Sequence, residues 1–83
     1  MSPDKMIHMC NQIASFFKTM PHQDPVERVA GHLDDFWESR MLEQLCLYVA
    51  DGGKGLDDVV VEAVRTETFS KYHPPHLDRP TGG

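Results

Sequence analysis

The sequence predicts an all-α fold, a small bundle of about four short helices with a Pro-rich, flexible C-terminal tail. Three observations lead there. Apolar residues return at three- and four-residue intervals in successive stretches. Each stretch opens on capping residues, and the first and third close on Pro21 and on Gly52-Gly53. After Thr68 the apolar period disappears and Pro74, Pro75 and Pro80 take over. The expected organisation is a helical domain over residues 1–67 and a flexible tail over 68–83.

The first helix starts at Ser2-Pro3-Asp4, a cap, a proline suited to the first turn and an acid at the positive end of the dipole. Met6, Met9, Cys10, Ile13, Phe16, Phe17 and Met20 follow at helical offsets, and Pro21 stops the run. Asp24-Pro25-Val26-Glu27 restarts a helix with a capping-box arrangement, and Val26, Val29, Ala30, Leu33, Phe36 and Trp37 continue it. Near Glu38-Ser39-Arg40 the pattern shifts phase, with Ser39 as the expected new cap. The third stripe is Met41, Leu42, Leu45, Cys46 and Val49, ended by Asp51-Gly52-Gly53. Asp57-Asp58 then opens a fourth helix over about residues 58–67. The run Val59-Val60-Val61 has strand propensity, but a lone strand would have no partner in this chain, so helix is favoured.

At 83 residues the chain has room for one small domain with a modest core. Eight Lys and Arg against 13 Asp and Glu give a net charge of −5, which speaks against nucleic acid and anionic membranes. Residues 1–67 hold 12 acids and 6 bases, a net of −6. No stretch approaches the roughly 18 apolar residues of a membrane helix. Met1-Ser2-Pro3-Asp4 shows no basic stretch followed by an apolar run, so a cytoplasmic address is expected. Cys10 and Cys46 both lie in apolar stripes and read as reduced core residues.

Chemistry is harder to find. His73 and His76 are separated by two prolines and lack further ligands at familiar spacing. Gly52-Gly53-Lys54-Gly55 lacks the strand and the Lys-Ser/Thr of a phosphate loop and reads as a helix stop. Asp34 and Asp35, adjacent on a helix, point about 100° apart and read as a solvated face. No Ser/His/Asp or Cys/His grouping stands out, so no catalytic, cofactor-binding or metal-binding residue is assigned. What stands out is the apolar excess. Ile7 and Phe17 flank the central stripe of the first helix and widen its apolar arc, pointing to a protein–protein surface.

The residues also resemble a known family. Ile7-x-Met9-x-Asn11-Gln12-Ile13-Ala14-x-Phe16-Phe17, then Val29-Ala30-x-His32-x-x-x-Phe36-Trp37-x-x-Arg40-Met41, then Gly52-Gly53-x-Gly55-Leu56-Asp57 with Val61-Glu62-Ala63-Val64, resemble the delta subunit of NAD-dependent, molybdenum-containing formate dehydrogenase. The resemblance runs from residue 3 to about 67. This chain departs from the family pattern at Glu38-Ser39, at Asp58 and at Asp34-Asp35, where the family tends to have Asp-Pro, Pro and basic residues. The resemblance implies a non-catalytic accessory subunit of a cytoplasmic complex that oxidises formate to CO2 and reduces NAD+. It implies no cofactor in this chain, with molybdopterin, Fe-S clusters, FMN and NAD on the partner subunits. The expected partners are the larger formate dehydrogenase subunits, the molybdenum-bearing one first, with a homodimer as an option for the isolated chain. Asn11, Gln12, His32, Trp37, Arg40 and Met41 are the expected partner-binding residues, Trp37 and Arg40 because such side chains dominate interface energies. For Trp37 a place in the core is the competing reading. The alternative for the whole chain is a self-associating helical interaction or regulatory module unrelated to an enzyme complex.

Overall fold

The computed structural model describes residues 2–67, 69 and 70. Four helices make up that part of the chain: α1 (Pro3–Lys18), α2 (Pro25–Phe36), α3 (Ser39–Ala50) and α4 (Asp58–Thr66). No strand occurs among the described residues, and Val59-Val60-Val61 is helical. Of the flexible tail expected over 68–83, residues 68 and 71–83 lie outside the described residues.

Local chemistry accounts for most boundaries. The Ser2 hydroxyl accepts from the Lys5 amide, the Asp24 carboxylate from the Val26 amide, and the Asp57 carboxylate from the Val59 amide, so three helices begin on a side-chain cap. The start of α3 differs from expectation. Its N-cap is Glu38, not Ser39, and it makes no side-chain cap hydrogen bond. Trp37 and Glu38 are both extended, which breaks the chain between α2 and α3 where the apolar pattern shifts phase. At the end of α3 the Gly53 amide bonds back to the Tyr48 carbonyl. Gly53 has φ +65°, and a Cβ there would lie 3.1 Å from Val61 Cγ2, so both backbone and space demand glycine.

The shortest helix is central. α4 packs most extensively on α2 and also on α1 and α3, while α1 packs on α2. Met6, Cys10, Ala14 and Phe17 of α1 meet Val29, Ala30 and Leu33 of α2, Leu42, Leu45, Cys46 and Val49 of α3, and Val60, Ala63 and Val64 of α4 in one core. Trp37 and Leu56 join it from the connections.

The core reaches past residue 67. Phe69 is 1% exposed and sits among these residues. Beside it the Ser70 amide and hydroxyl both donate to the Asp34 carboxylate, at 2.9 Å and 2.9–3.0 Å. Asp34 is therefore a half-buried clasp on the segment after α4, not part of a solvated face.

Candidate protein-docking site

The apolar arc of α1 is wider than its core contact. At about 100° per residue, Met6, Cys10, Ala14 and Phe17 fall on one strip, and Met9, Ile13 and Phe16 on the strip beside it. The first strip is buried. The second is not: Phe16 is 58% exposed, and Met9 and Ile13 are half-buried. The same split occurs on α2, where Val29, Ala30 and Leu33 are buried while Phe36, at the end of the stripe, is 72% exposed.

These second strips face one another across the α1–α2 seam. They form three contiguous depressions. The largest, about 390 Å³, is lined by Met9, Gln12, Ile13, His32, Phe36, Trp37 and Met41. A second, about 250 Å³, continues over Phe16 and Phe17, and a third, about 330 Å³, runs along Glu27, Arg28, Gly31 and Asp35 of α2. His32 borders all three. Its ring lies 4.7 Å from that of Phe36 and 6.0 Å from that of Phe17, centroid to centroid. The Arg28 guanidinium stands 5.7 Å over Phe17. The result is an apolar groove with a histidine on its floor and both charge signs along one rim.

The six expected contact residues divide. Gln12 is exposed and His32 and Met41 half-buried, and all three line the groove. Trp37, at 3% exposure, belongs to the core and touches the groove only as floor. Arg40 is exposed on the first turn of α3, outside the lining. Asn11 lies elsewhere. Its Nδ2 donates to the Gly55 carbonyl at 2.9 Å and its Oδ1 accepts from the Asp57 amide at 2.8 Å. Instead of reaching for a partner's backbone, this amide pins the chain's own loop, which the Tyr48 hydroxyl holds from α3 by donating to the Lys54 carbonyl. The resemblance-bearing glycines of residues 52–55 thus serve architecture.

Phe16 and Phe36 were expected in the core stripes and stand exposed instead. Their angular position at the edge of each stripe is the signal that separates them from core.

The remaining chemistry is structural. Cys10 and Cys46 are free and buried, and burial pushes their thiols up to about 12 and about 11, away from reactivity. Among the described residues no three His, Cys, Asp or Glu side chains are placed to hold a metal ion. The Lys18 ammonium donates to Asp57 at 2.7 Å and holds that carboxyl below its usual range, opposed by desolvation and helped by the Val59 amide.

A family model described as NADH-dependent formate dehydrogenase delta subunit (FdsD) matches residues 5–64. The chain belongs to this delta-subunit family. The matched span runs from the first turn of α1 almost to the end of α4, and so takes in both strips of the groove, Asn11 and the loop it pins. No curated protein and no solved structure gives a match. As a delta-subunit chain it presents, among its described residues, no helix long and apolar enough to cross a membrane.

Proposed function

We propose that this chain is a non-catalytic accessory subunit of a cytoplasmic formate dehydrogenase complex, docking on the larger subunits and supporting their assembly or stability. The open α1–α2 groove on a member of a delta-subunit family carries this reading. Large aromatic side chains do not lie exposed around a groove on a small domain without cost, and covering them is the natural gain from a partner. Two features agree with a binding role. The thiols are shielded and raised, and the Asn11 amide and Asp57 carboxylate are engaged in loop and cap contacts. Formate oxidation and transfer of electrons to NAD+, with molybdopterin, Fe-S clusters, FMN and NAD, are assigned to the larger subunits, the molybdenum-bearing one being the first choice as partner.

The test is purification of the tagged chain co-expressed with the larger formate dehydrogenase subunits of its own host. The expected result is stoichiometric co-elution with the molybdenum-bearing subunit, and a lower yield or melting temperature of the complex when this chain is omitted. Elution with no molybdenum-bearing subunit sinks the reading. A self-associating module is the second reading, because Phe16 and Phe36 would be covered equally by another copy. A persistent dimer by light scattering, combined with no co-eluting subunit, would favour it.

A further inference from the structure

The shape of the groove says what kind of element fills it. In α1 the strip Met9, Ile13, Phe16 repeats at i, i+4 and i+7, and in α2 His32 and Phe36 repeat at i and i+4. Two neighbouring helices that each show a second apolar strip at helical spacing form the seat of a third helix, whose ridge drops into the seam between them. Among the described residues nothing takes that seat. α4 lies against both helices from the core side, and α3 packs chiefly on α4, reaching the groove only with Met41 at its first turn.

Charge narrows the occupant. Residues 1–67 carry a net −6 from 12 acids and 6 bases. Glu27 and Asp35 stand on the α2 rim, where Arg28 is drawn over the Phe17 ring. A basic flank is attracted to such a surface and an acidic one repelled. Resting on the accessory-subunit reading, we propose that the groove receives one amphipathic α-helix of a larger formate dehydrogenase subunit, apolar at i, i+3 or i+4 and i+7, and basic along the flank facing α2.

Capture of the larger subunits by the tagged full-length chain tests this. Phe16→Glu and Phe36→Glu change exposed side chains and leave the thermal melt near that of the native chain, yet each lowers capture about tenfold or more. Leu47→Glu, on an exposed site of α3 at 56% exposure, leaves capture unchanged. Asp35→Lys, with its fold checked by the same melt, weakens capture several-fold in about 0.1 M salt and much less in about 0.5 M. A photo-crosslinking residue at Gln12, which lines two of the depressions, reacts with larger-subunit positions three and four apart. Crosslinks to alternate residues of a strand, to a loop, or to a second copy of this chain overturn the helix. If the native chain captures the larger subunits and the Phe variants do so equally well, the groove is not the site, while the accessory reading survives. If the native chain captures none, that reading itself has failed.

Discussion

Replacing Asn11 by Ala isolates the contact that ties the first helix to the last connection. The side chain makes two hydrogen bonds, Nδ2 to the Gly55 carbonyl at 2.9 Å and Oδ1 from the Asp57 amide at 2.8 Å. Each is worth about 0.5–1.5 kcal/mol net, so their joint loss amounts to about 2 kcal/mol. Asp57 also caps α4 through the Val59 amide and pairs with Lys18, so loosening its backbone weakens two further contacts. For a domain of this size about 2 kcal/mol corresponds to a fall of about 8–16 °C in melting temperature. Thermal and urea unfolding followed by far-ultraviolet circular dichroism measure it. Asn11→Asp is the control, because it keeps an acceptor for the Asp57 amide and turns a carboxylate oxygen toward the Gly55 carbonyl. It should lose at least half as much, because one hydrogen bond is gone and the carboxylate and carbonyl oxygens repel. The amide lies about 160° around α1 from Met9 and Ile13, so Asn11→Ala, while folded, should capture the larger subunits as the native chain does. A stability loss below about 0.5 kcal/mol, or an Asn11→Asp variant as stable as the native chain, would refute the pinning role.

Three other outcomes follow from the same contacts. Phe69→Ala should cost about 3–5 kcal/mol by urea unfolding, a large part of the total for so small a domain, because the ring is fully buried. The Lys18–Asp57 pair should make stability pH-dependent. Asp57 is depressed in the folded state, so its contribution is complete above the unfolded carboxylate range and fades as pH falls through the lowered folded value. The gap in unfolding free energy between the native chain and Lys18→Met should therefore close in acid, and with Lys18 half exposed it should stay below about 1 kcal/mol at neutral pH. Cys10 and Cys46, raised to about 12 and about 11, should resist a thiol reagent at pH 8 in the folded chain and react fully in denaturant. Fast labelling of the native chain would contradict that burial.

Legibility in the sequence followed the range of the interaction. Ser2, Asp24 and Asp57 act within three residues of themselves, and their caps can be read from the letters alone. The apolar stripe of α1 can be read too, but its core strip cannot. Met6, Cys10 and Phe17 share that stripe with Met9, Ile13 and Phe16, which are not buried, and the fully buried Ala14 lies outside it. Asn11 could not be read this way. Its partners lie 44 and 46 positions away, and nothing local distinguishes an amide that pins a loop from one that meets a partner. Phe69 and the Ser70–Asp34 clasp are hidden for a similar reason: a single aromatic after a helix end has no period to announce it. Glu38 displaced Ser39 as cap because the Leu42 amide bonds to the Glu38 carbonyl, which sets the start of α3 one residue earlier. Side-chain preference at Ser39 was too weak to move it.

Phe16 and Phe36 show how an apolar stripe can carry more than one kind of information. A period reports that a residue lies on the apolar side of its helix, but not what covers it. In α1 the arc is wider than the strip α2 and α4 can cover, and the excess falls on one edge. In α2 the excess falls on the edge that faces it. Were the exposed residues scattered, each would be an ordinary surface apolar group. Their convergence on one groove, with the His32 ring set between the exposed Phe36 and the buried Phe17, makes them a surface. A domain of this size has little core to give away, so leaving two phenylalanines outside it is intelligible if another chain completes the packing. On that view the helices of the delta subunit are assembled in two stages, Met6 and its strip within the chain and Met9 and its strip in the complex. The stability of the isolated chain should then be indifferent to Phe16 and Phe36, and that of the complex should not.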